Sequence, residues 1–292
     1  MNDEHPVRPR RTAFGELVQL DASPHDWLSL GSLDESNYRL DRKIALHLAI
    51  DDATSQLLGG YFCQEETLVG YYQVVYQLLT KYGIPSTFYT DRRTIFEYRA
   101  KLRVEDENIQ FKRACNELGV GIISTSVAQA KGRVERSFRT HQDRLINELK
   151  YAGITTIEDA NKFLGGYMAK HNKKYALDIP LDNTGRILSA FRPLNDLGSQ
   201  IDIRKILSII EKRKVLNGGL ISFGNRQYYL TDDDGIRLFL PADTSVEVVK
   251  TFNEQLLVKY GNKYYHTEHF ADGRLTAHAP PPTHPWRRTY HH

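Results

Sequence analysis

The chain has 292 residues, 40% hydrophobic and 26% charged, a composition that supports a buried core and argues against a fibrous or wholly disordered protein. Its formal net charge is +3, from 39 Lys and Arg against 36 Asp and Glu, so no global field draws in a polyanion and any nucleic-acid surface must be a local patch. Cys63 and Cys115 lie in apolar stretches away from any zinc-ligand spacing and read as reduced thiols; with no apolar leader and no membrane-length run, a soluble, cytoplasmic protein of one or two domains is expected.

In chain order, residues 1–13 are a basic tail containing Arg8-Pro9-Arg10-Arg11. Residues 16–21 alternate polar and apolar as a half-buried strand does, which puts Asp21 at the strand's carboxyl end. Residues 43–51 are richer in apolar side chains and stop at the turn formers Asp51-Asp52-Ala53-Thr54-Ser55; residues 56–64 resume as a strand, so the pair reads as an antiparallel hairpin. Thr67 caps a predicted helix whose apolar face is Tyr71, Val74, Val75, Leu78 and Leu79, ended by Gly83 with Pro85 beyond. Residues 86–91 are β-branched and aromatic, a predicted central strand that delivers Asp91 at its carboxyl end.

After a charged stretch at 92–108, Phe111, Ala114, Cys115 and Leu118 form the inner face of a short helix that feeds a strand at 120–124. A long helix is expected from about Gln129 to Lys150, with Val134, Phe138, Leu145 and Leu149 inward, then another over 157–175 and a loop over 180–193. From 211 to 270, short β-rich runs are separated by Asn217-Gly218-Gly219, Gly224-Asn225, Asp234-Gly235 and Gly261-Asn262, the pattern of a small β-barrel. The closing stretch, with Pro280-Pro281-Pro282 and Trp286, has no periodicity and reads as disordered.

Three acids stand out by position: Asp21 and Asp91 at strand ends, and Glu135 in the first turns of the long helix. Taken singly, such an acid is an ordinary cap or a solvated side chain. Brought together on neighbouring strands roughly 4.8 Å apart, three carboxylates repel one another, and a divalent cation resolves the conflict. Oxygen-only ligands select Mg²⁺ (or Mn²⁺), and a pair of such ions suits in-line displacement at a phosphodiester. Lys131, Glu135 and Arg139 lie four apart on one helix face, which fits either an ion-pair ladder or basic neighbours that hold phosphates while the acid holds metal. Gly132, expected inside that helix at a cost of about 1 kcal/mol, favours a close backbone approach to something such as DNA.

Residues 20–27 (Leu-Asp-Ala-Ser-Pro-His-Asp-Trp), the Ala49-Ile50-Asp51-Asp52-Ala53-Thr54 turn, Tyr89-Thr90-Asp91 and the run from Gln129 to Arg136 resemble the DDE transposases of ISNCY-type insertion sequences and, more widely, retroviral integrase cores, over residues 14–175. The resemblance implies an α/β, ribonuclease-H-like mixed five-stranded sheet with flanking helices, followed by a small all-β, SH3-like barrel. It maps the catalytic and metal-binding acids to Asp21, Asp91 and Glu135, with Lys131, Arg133, Arg136 and Arg139 as DNA-binding neighbours. It implies Mg²⁺-dependent hydrolysis at transposon ends and strand transfer into target DNA by a homo-oligomer on DNA, with no membrane partner. The expected organisation is a tail at 1–13, a catalytic core at 14–178, a linker at 179–210, a barrel at 211–272 and a disordered tail at 273–292. Full-length relatives carry a helix-turn-helix domain before the core, so the expectations are a truncated gene product, one of two reading frames, or a core fragment.

Two alternatives stay open on the sequence: a non-catalytic DNA-binding transposase remnant, and a ribonuclease-H-like nuclease acting on RNA–DNA hybrids. Asp51 and Asp52 are expected to make turn hydrogen bonds rather than to bind metal. His25 can hydrogen-bond a carboxylate or phosphate, or simply cap, while Trp27 is expected to pack. On the barrel, Lys212, Arg213, Lys214, Arg226, Lys259 and Lys263 are either a phosphate-binding surface or a solvated face.

Overall fold

The computed structural model describes residues 9–28, 43–91, 105–125, 132–198 and 201–270, the side chains at 91, 105–109, 125, 132 and 133 excepted. The expected disordered tail at 273–292, the expected helix start at Gln129, and Lys131 lie outside the described residues. Two compact units form: Met1–Ile210 with Lys250–Gln255, and Glu211–Val249 with Leu256–His292.

The first unit is built on a five-stranded sheet: β1 (Val18–His25), β2 (Ile44–Asp51), β3 (Leu57–Cys63), β4 (Thr87–Asp91) and β5 (Gly121–Thr125), in the order β3-β2-β1-β4-β5. β2 runs antiparallel to β1 and β3, whereas β4 is parallel to β1 and to β5. This mixed order is the ribonuclease-H-like arrangement the sequence led one to expect. Four helices flank it: α1 (Leu68–Tyr82), α2 (Glu105–Leu118), α3 (Gly132–Tyr151) and α4 (Ile157–Tyr175).

Two apolar cores account for the residue pattern. On one face, Val18, Leu20, Ala49 and Phe88 pack against Tyr71, Val74, Val75, Leu78 and Leu79 of α1 and Phe111, Ala114 and Leu118 of α2. On the other, Leu46, Leu48 and Ile50 pack against Val134, Phe138, Leu145 and Leu149 of α3 and Leu164 and Tyr167 of α4. β2 is buried along its whole length because both faces are covered, which explains its nearly continuous apolar run.

α1 begins where Thr67 Oγ1 accepts from Gly70 N at 3.1 Å and ends at Gly83, whose N–H donates to Leu79 O at 3.0 Å, as the capping residues indicate. At Gly70 a Cβ would stand 2.5 Å from the ring of His47, so the missing side chain lets this helix sit directly on β2.

β3 is an edge strand, and three side-chain amides cover its backbone. Gln77 bonds both N and O of Gly60, Asn161 both N and O of Phe62, and Asn172 both N and O of Leu57, at 2.7–3.1 Å. A strand edge with its polar groups already paired cannot recruit a foreign strand.

One expectation needs correction. Asp21 is not at the carboxyl end of β1 but at its middle, because β2 continues to pair through His25 opposite Ile44. A strand's end is set by its partner's length, which local alternation does not report.

Residues 179–197 have little regular structure yet are tied to the first unit: Phe14 bridges Ser189, Ile84 bridges Arg192, and Arg192 Nη2 donates to Leu118 O at 3.0 Å. The second unit carries most of a nearly closed antiparallel barrel of β6 (Ser208–Lys214), β7 (Ile221–Phe223), β8 (Arg226–Thr231), β9 (Arg237–Leu238), β10 (Ser245–Thr251), β11 (Leu256–Tyr260) and β12 (Lys263–His269), the start of β6 and the end of β10 being counted with the first. Val215, Ile221, Leu230, Val246, Val248 and Val258 fill it. Among the described residues, no helix is long and apolar enough to cross a membrane.

Candidate nucleic-acid and metal site

β1 and β4 lie side by side and parallel, with Val18 opposite Phe88 and Gln19 opposite Tyr89, an offset of 70 residues (89 − 19). The same offset carries Asp21 to Asp91. If the register continued, it would bring these two positions level with each other, two residues beyond the last described rung of the ladder. Along β1, Val18 and Leu20 face the α1–α2 core, so the alternate residues Gln19, Asp21 and Ser23 belong to the face covered by α3 and α4. Asp21 is 8% exposed.

Glu135 lies in the first turn of α3, on the exposed side of the helix. Val134, Phe138 and Leu145 bury the opposite stripe against the sheet, and Gln142 Nε2 donates to Ser23 Oγ at 3.3 Å. Glu135 and Gln142 are seven residues apart, two turns of one helix face, or about 10 Å along the axis. Ser23 and Asp21 are two residues apart on one face of β1. Helix and strand are thus pinned to each other close to both acids.

Arg136 and Arg139 are exposed on α3; Lys131 and the side chains of Asp91 and Arg133 lie outside what the structure describes. Among the described residues Glu135 and Arg139 form no ion pair within 4.0 Å, while the Lys131–Glu135 half of the spacing lies outside the described residues. Gly132 is the first described residue of α3, and residues 126–131 before it lie outside the described residues.

Carboxylate oxygens in this row suit a hard cation such as Mg²⁺ and would repel one another without it. No group of three or more His, Cys, Asp or Glu that could hold a metal stands among the described residues, a set that leaves out the Asp91 side chain.

Asp51 and Asp52 do what turn acids do. Asp51 Oδ2 accepts from Thr54 N at 2.7 Å and Thr54 Oγ1 at 2.8 Å, and its Oδ1 accepts from Gly15 N at 2.8 Å. Burial pushes its pKa up, and these hydrogen bonds work against that rise. Asp52 Oδ2 accepts from Arg11 N at 2.9 Å and its Oδ1 accepts from Gln19 Nε2 at 2.7 Å. Trp27 is fully buried with its Nε1 donating to Ser23 O at 2.8 Å, and His25 lies against it with ring centroids 5.4 Å apart. Gln19 and Gln142 carried no signal in the sequence, since an amide in a strand or on a helix flank is indistinguishable from a solvated one until its partner is known.

On the barrel, Arg213 pairs with Glu211, Lys214 with Asp243 at 3.8 Å and Lys259 with Glu247 at 3.7 Å, so half of the six basic residues have an acidic partner. Lys212 and Lys259 line a shallow hollow together with Ser245, Val246, Glu247 and Gly261.

No protein-family model matches the chain. It is 36% identical, over 98% of its length, to the transposase for insertion sequence IS1202 of Streptococcus pneumoniae, of which it covers 60%. It is 32% identical, over 93% of its length, to the putative transposase y4bF of Sinorhizobium fredii (strain NBRC 101917 / NGR234), of which it covers 51%. The chain thus spans between half and two thirds of the length of these relatives. Among solved structures, it is similar to the catalytic core domain of BIV integrase (19% identity, TM-score 0.36, 59% of this chain and 90% of that one). It is also similar to a chain of the simian T-cell lymphotropic virus intasome in complex with PP2A regulatory subunit B56 gamma (14% identity, TM-score 0.42, 94% and 86%). A third is the HTLV-2 integrase catalytic core domain in complex with magnesium (15% identity, TM-score 0.38, 61% and 96%).

Proposed function

We propose that this chain, a homologue of insertion-sequence transposases over nearly its whole length, acts as a DDE-type DNA transposase core that hydrolyses phosphodiesters at transposon ends and transfers the freed strands to target DNA. The observation that carries this reading is the parallel β1–β4 register, Gln19 opposite Tyr89, whose continuation by two residues would set Asp21 level with Asp91, in the unit whose helix α3 bears Glu135.

In this reading Asp21, Asp91 and Glu135 are the ligands of Mg²⁺ (or Mn²⁺). The bound ions supply Lewis-acid activation of the attacking oxygen and stabilise charge on the departing one. The chain's own groups do the rest. The apolar floor of Leu48, Ile50 and Val134 keeps bulk water from the inner side of the row. Lys131, Arg133, Arg136 and Arg139 grip the DNA phosphates and hold the scissile bond in line. In hydrolysis, water bonds to phosphorus and the 3′ oxygen leaves as a hydroxyl. In transfer, that hydroxyl bonds to a target phosphorus and a target 3′ oxygen leaves. Attack on two target strands calls for a homo-oligomer on DNA. The expected core at 14–178 and barrel at 211–272 serve as catalytic and accessory domains in this scheme.

The direct test incubates the full chain with transposon-end duplex and Mg²⁺ or Mn²⁺. Asp21→Asn, Asp91→Asn and Glu135→Gln should each abolish end cleavage and joining while leaving the melting temperature near that of wild type. Equal products from wild type and Asp91→Asn would place the chemistry elsewhere.

A further inference from the structure

Gln19 is a polar residue in the buried interior of β1, 1% exposed. Its Nε2 donates to Asp52 Oδ1 at 2.7 Å, while its Oε1 has no hydrogen-bond partner among the described residues. An unpaired buried acceptor is a standing cost in a protein interior. A side chain kept only to fill space would not carry that penalty.

Its position suggests what the amide does. Gln19 and Tyr89 form the last described rung between the parallel strands, and Asp21 follows two residues later on the same face. Asp52, fully buried, holds Gln19 with one oxygen and Arg11 N with the other, and its own N–H donates to Leu17 O at 2.9 Å. The turn after β2 therefore grips Gln19 of β1 and Leu17 just before the strand, two residues short of Asp21.

Resting on the reading that Asp21 and Asp91 share a cation, we propose that Gln19 is a positioning residue: anchored by Asp52, it fixes the final rung of the β1–β4 ladder and hence the spacing of the two carboxylate positions beyond it. It does so without touching substrate or metal. Outer partners of this kind set how well ligands converge, so their loss weakens metal binding more than it weakens the fold.

Mn²⁺ binding to the full chain, read from the loss of the free-ion paramagnetic signal, tests this alongside metal-dependent end cleavage. Gln19→Met should weaken Mn²⁺ binding, and raise the metal needed for half-maximal cleavage, by about ten- to a hundredfold. Gln77→Met, which removes two amide hydrogen bonds to Gly60 on the edge strand, should leave both at wild-type values. If Gln19→Met does not fold, Gln19→Asn, which keeps the amide but withdraws it by one methylene, takes its place with the same expectation. Should the Gln19 variant bind Mn²⁺ like wild type while Asp21→Asn does not, the positioning role is overturned and the metal site stands. An equal loss in Gln77→Met would also overturn it, as a general loosening of the core. If wild type itself binds no Mn²⁺, the metal site fails and the positioning role falls with it.

Discussion

Gln142 reaches from α3 to Ser23 on β1, Nε2 to Oγ at 3.3 Å, and so ties the helix that bears Glu135 to the strand that bears Asp21. Ser23 is further fixed by Trp27, whose indole N–H donates to its carbonyl at 2.8 Å. The acids at the two ends of this tie belong to different elements, and apolar packing alone leaves a helix free to slide along its axis.

The Ser23–Gln142 bond should therefore matter more for activity than for stability. Ser23→Ala and Gln142→Leu are each expected to cost about 1 kcal/mol of stability, as a partly exposed neutral hydrogen bond does. Each should lower metal-dependent cleavage severalfold, and the double variant should be no worse than either single one. Additive losses in that double-mutant cycle would show that the two side chains act separately.

The amide clamps on β3 are expected to dominate the stability of its edge. Asn161→Ala and Asn172→Ala each leave a backbone N–H and C=O without their partner, at a cost of about 1–3 kcal/mol per position. Urea unfolding followed by the fluorescence of buried Trp27 measures this, and the double variant should also aggregate as its edge becomes free to pair. A wild-type midpoint in both variants would rule out the clamps as structural elements.

Acid should destabilise the first unit through two buried histidines. Burial pushes His47 from 6.5 down to about 4, and burial together with the nearby His171 pushes His141 down to about 3. His47 is held as the neutral ring: Nδ1 lies 3.3 Å from Tyr61 O, and Nε2 accepts from Thr67 N at 3.2 Å. His141 stands in the α3–α4 seam, Nδ1 against Tyr167 OH at 2.8 Å and Nε2 against Ser137 Oγ at 3.0 Å. Below pH 6.5 the unfolded chain takes up protons that the folded one refuses, so stability falls with pH until the folded values of about 4 and 3 are passed. Each histidine contributes on the order of 3 kcal/mol to that fall. His47→Gln with His141→Gln should flatten the pH dependence of the Trp27 transition; an unchanged slope would mean other groups govern it.

Gly165 and Gly166 sit in the middle of α4, and a methyl added at either meets nothing within 4 Å. Gly165→Ala and Gly166→Ala should each stabilise the chain by about 0.5–1 kcal/mol, since the unfolded state loses freedom and the folded state gains no clash. Thermal melting checks this. If either variant is less stable than wild type, the glycine is required for a reason that the packing of α4 does not contain.

How much of this was legible beforehand divides along a physical line. Local patterns sufficed for α1 with its Thr67 and Gly83 ends, for the β2–β3 hairpin, for α4 at Ile157–Tyr175, and for the inward stripe Val134, Phe138, Leu145 and Leu149. Each depends on periodicity or capping within a few residues, which a chain carries in its own order. The Asp51–Asp52 turn was legible for the same reason. Tertiary structure alone decided that β1 runs on to His25, that β1 and β4 pair in parallel with Gln19 opposite Tyr89, that Gln19 bonds Asp52, and that Gln142 bonds Ser23. Those are relations between strands and helices distant in sequence, set by which backbone groups find each other across the sheet, and residue order records only the composition of each partner.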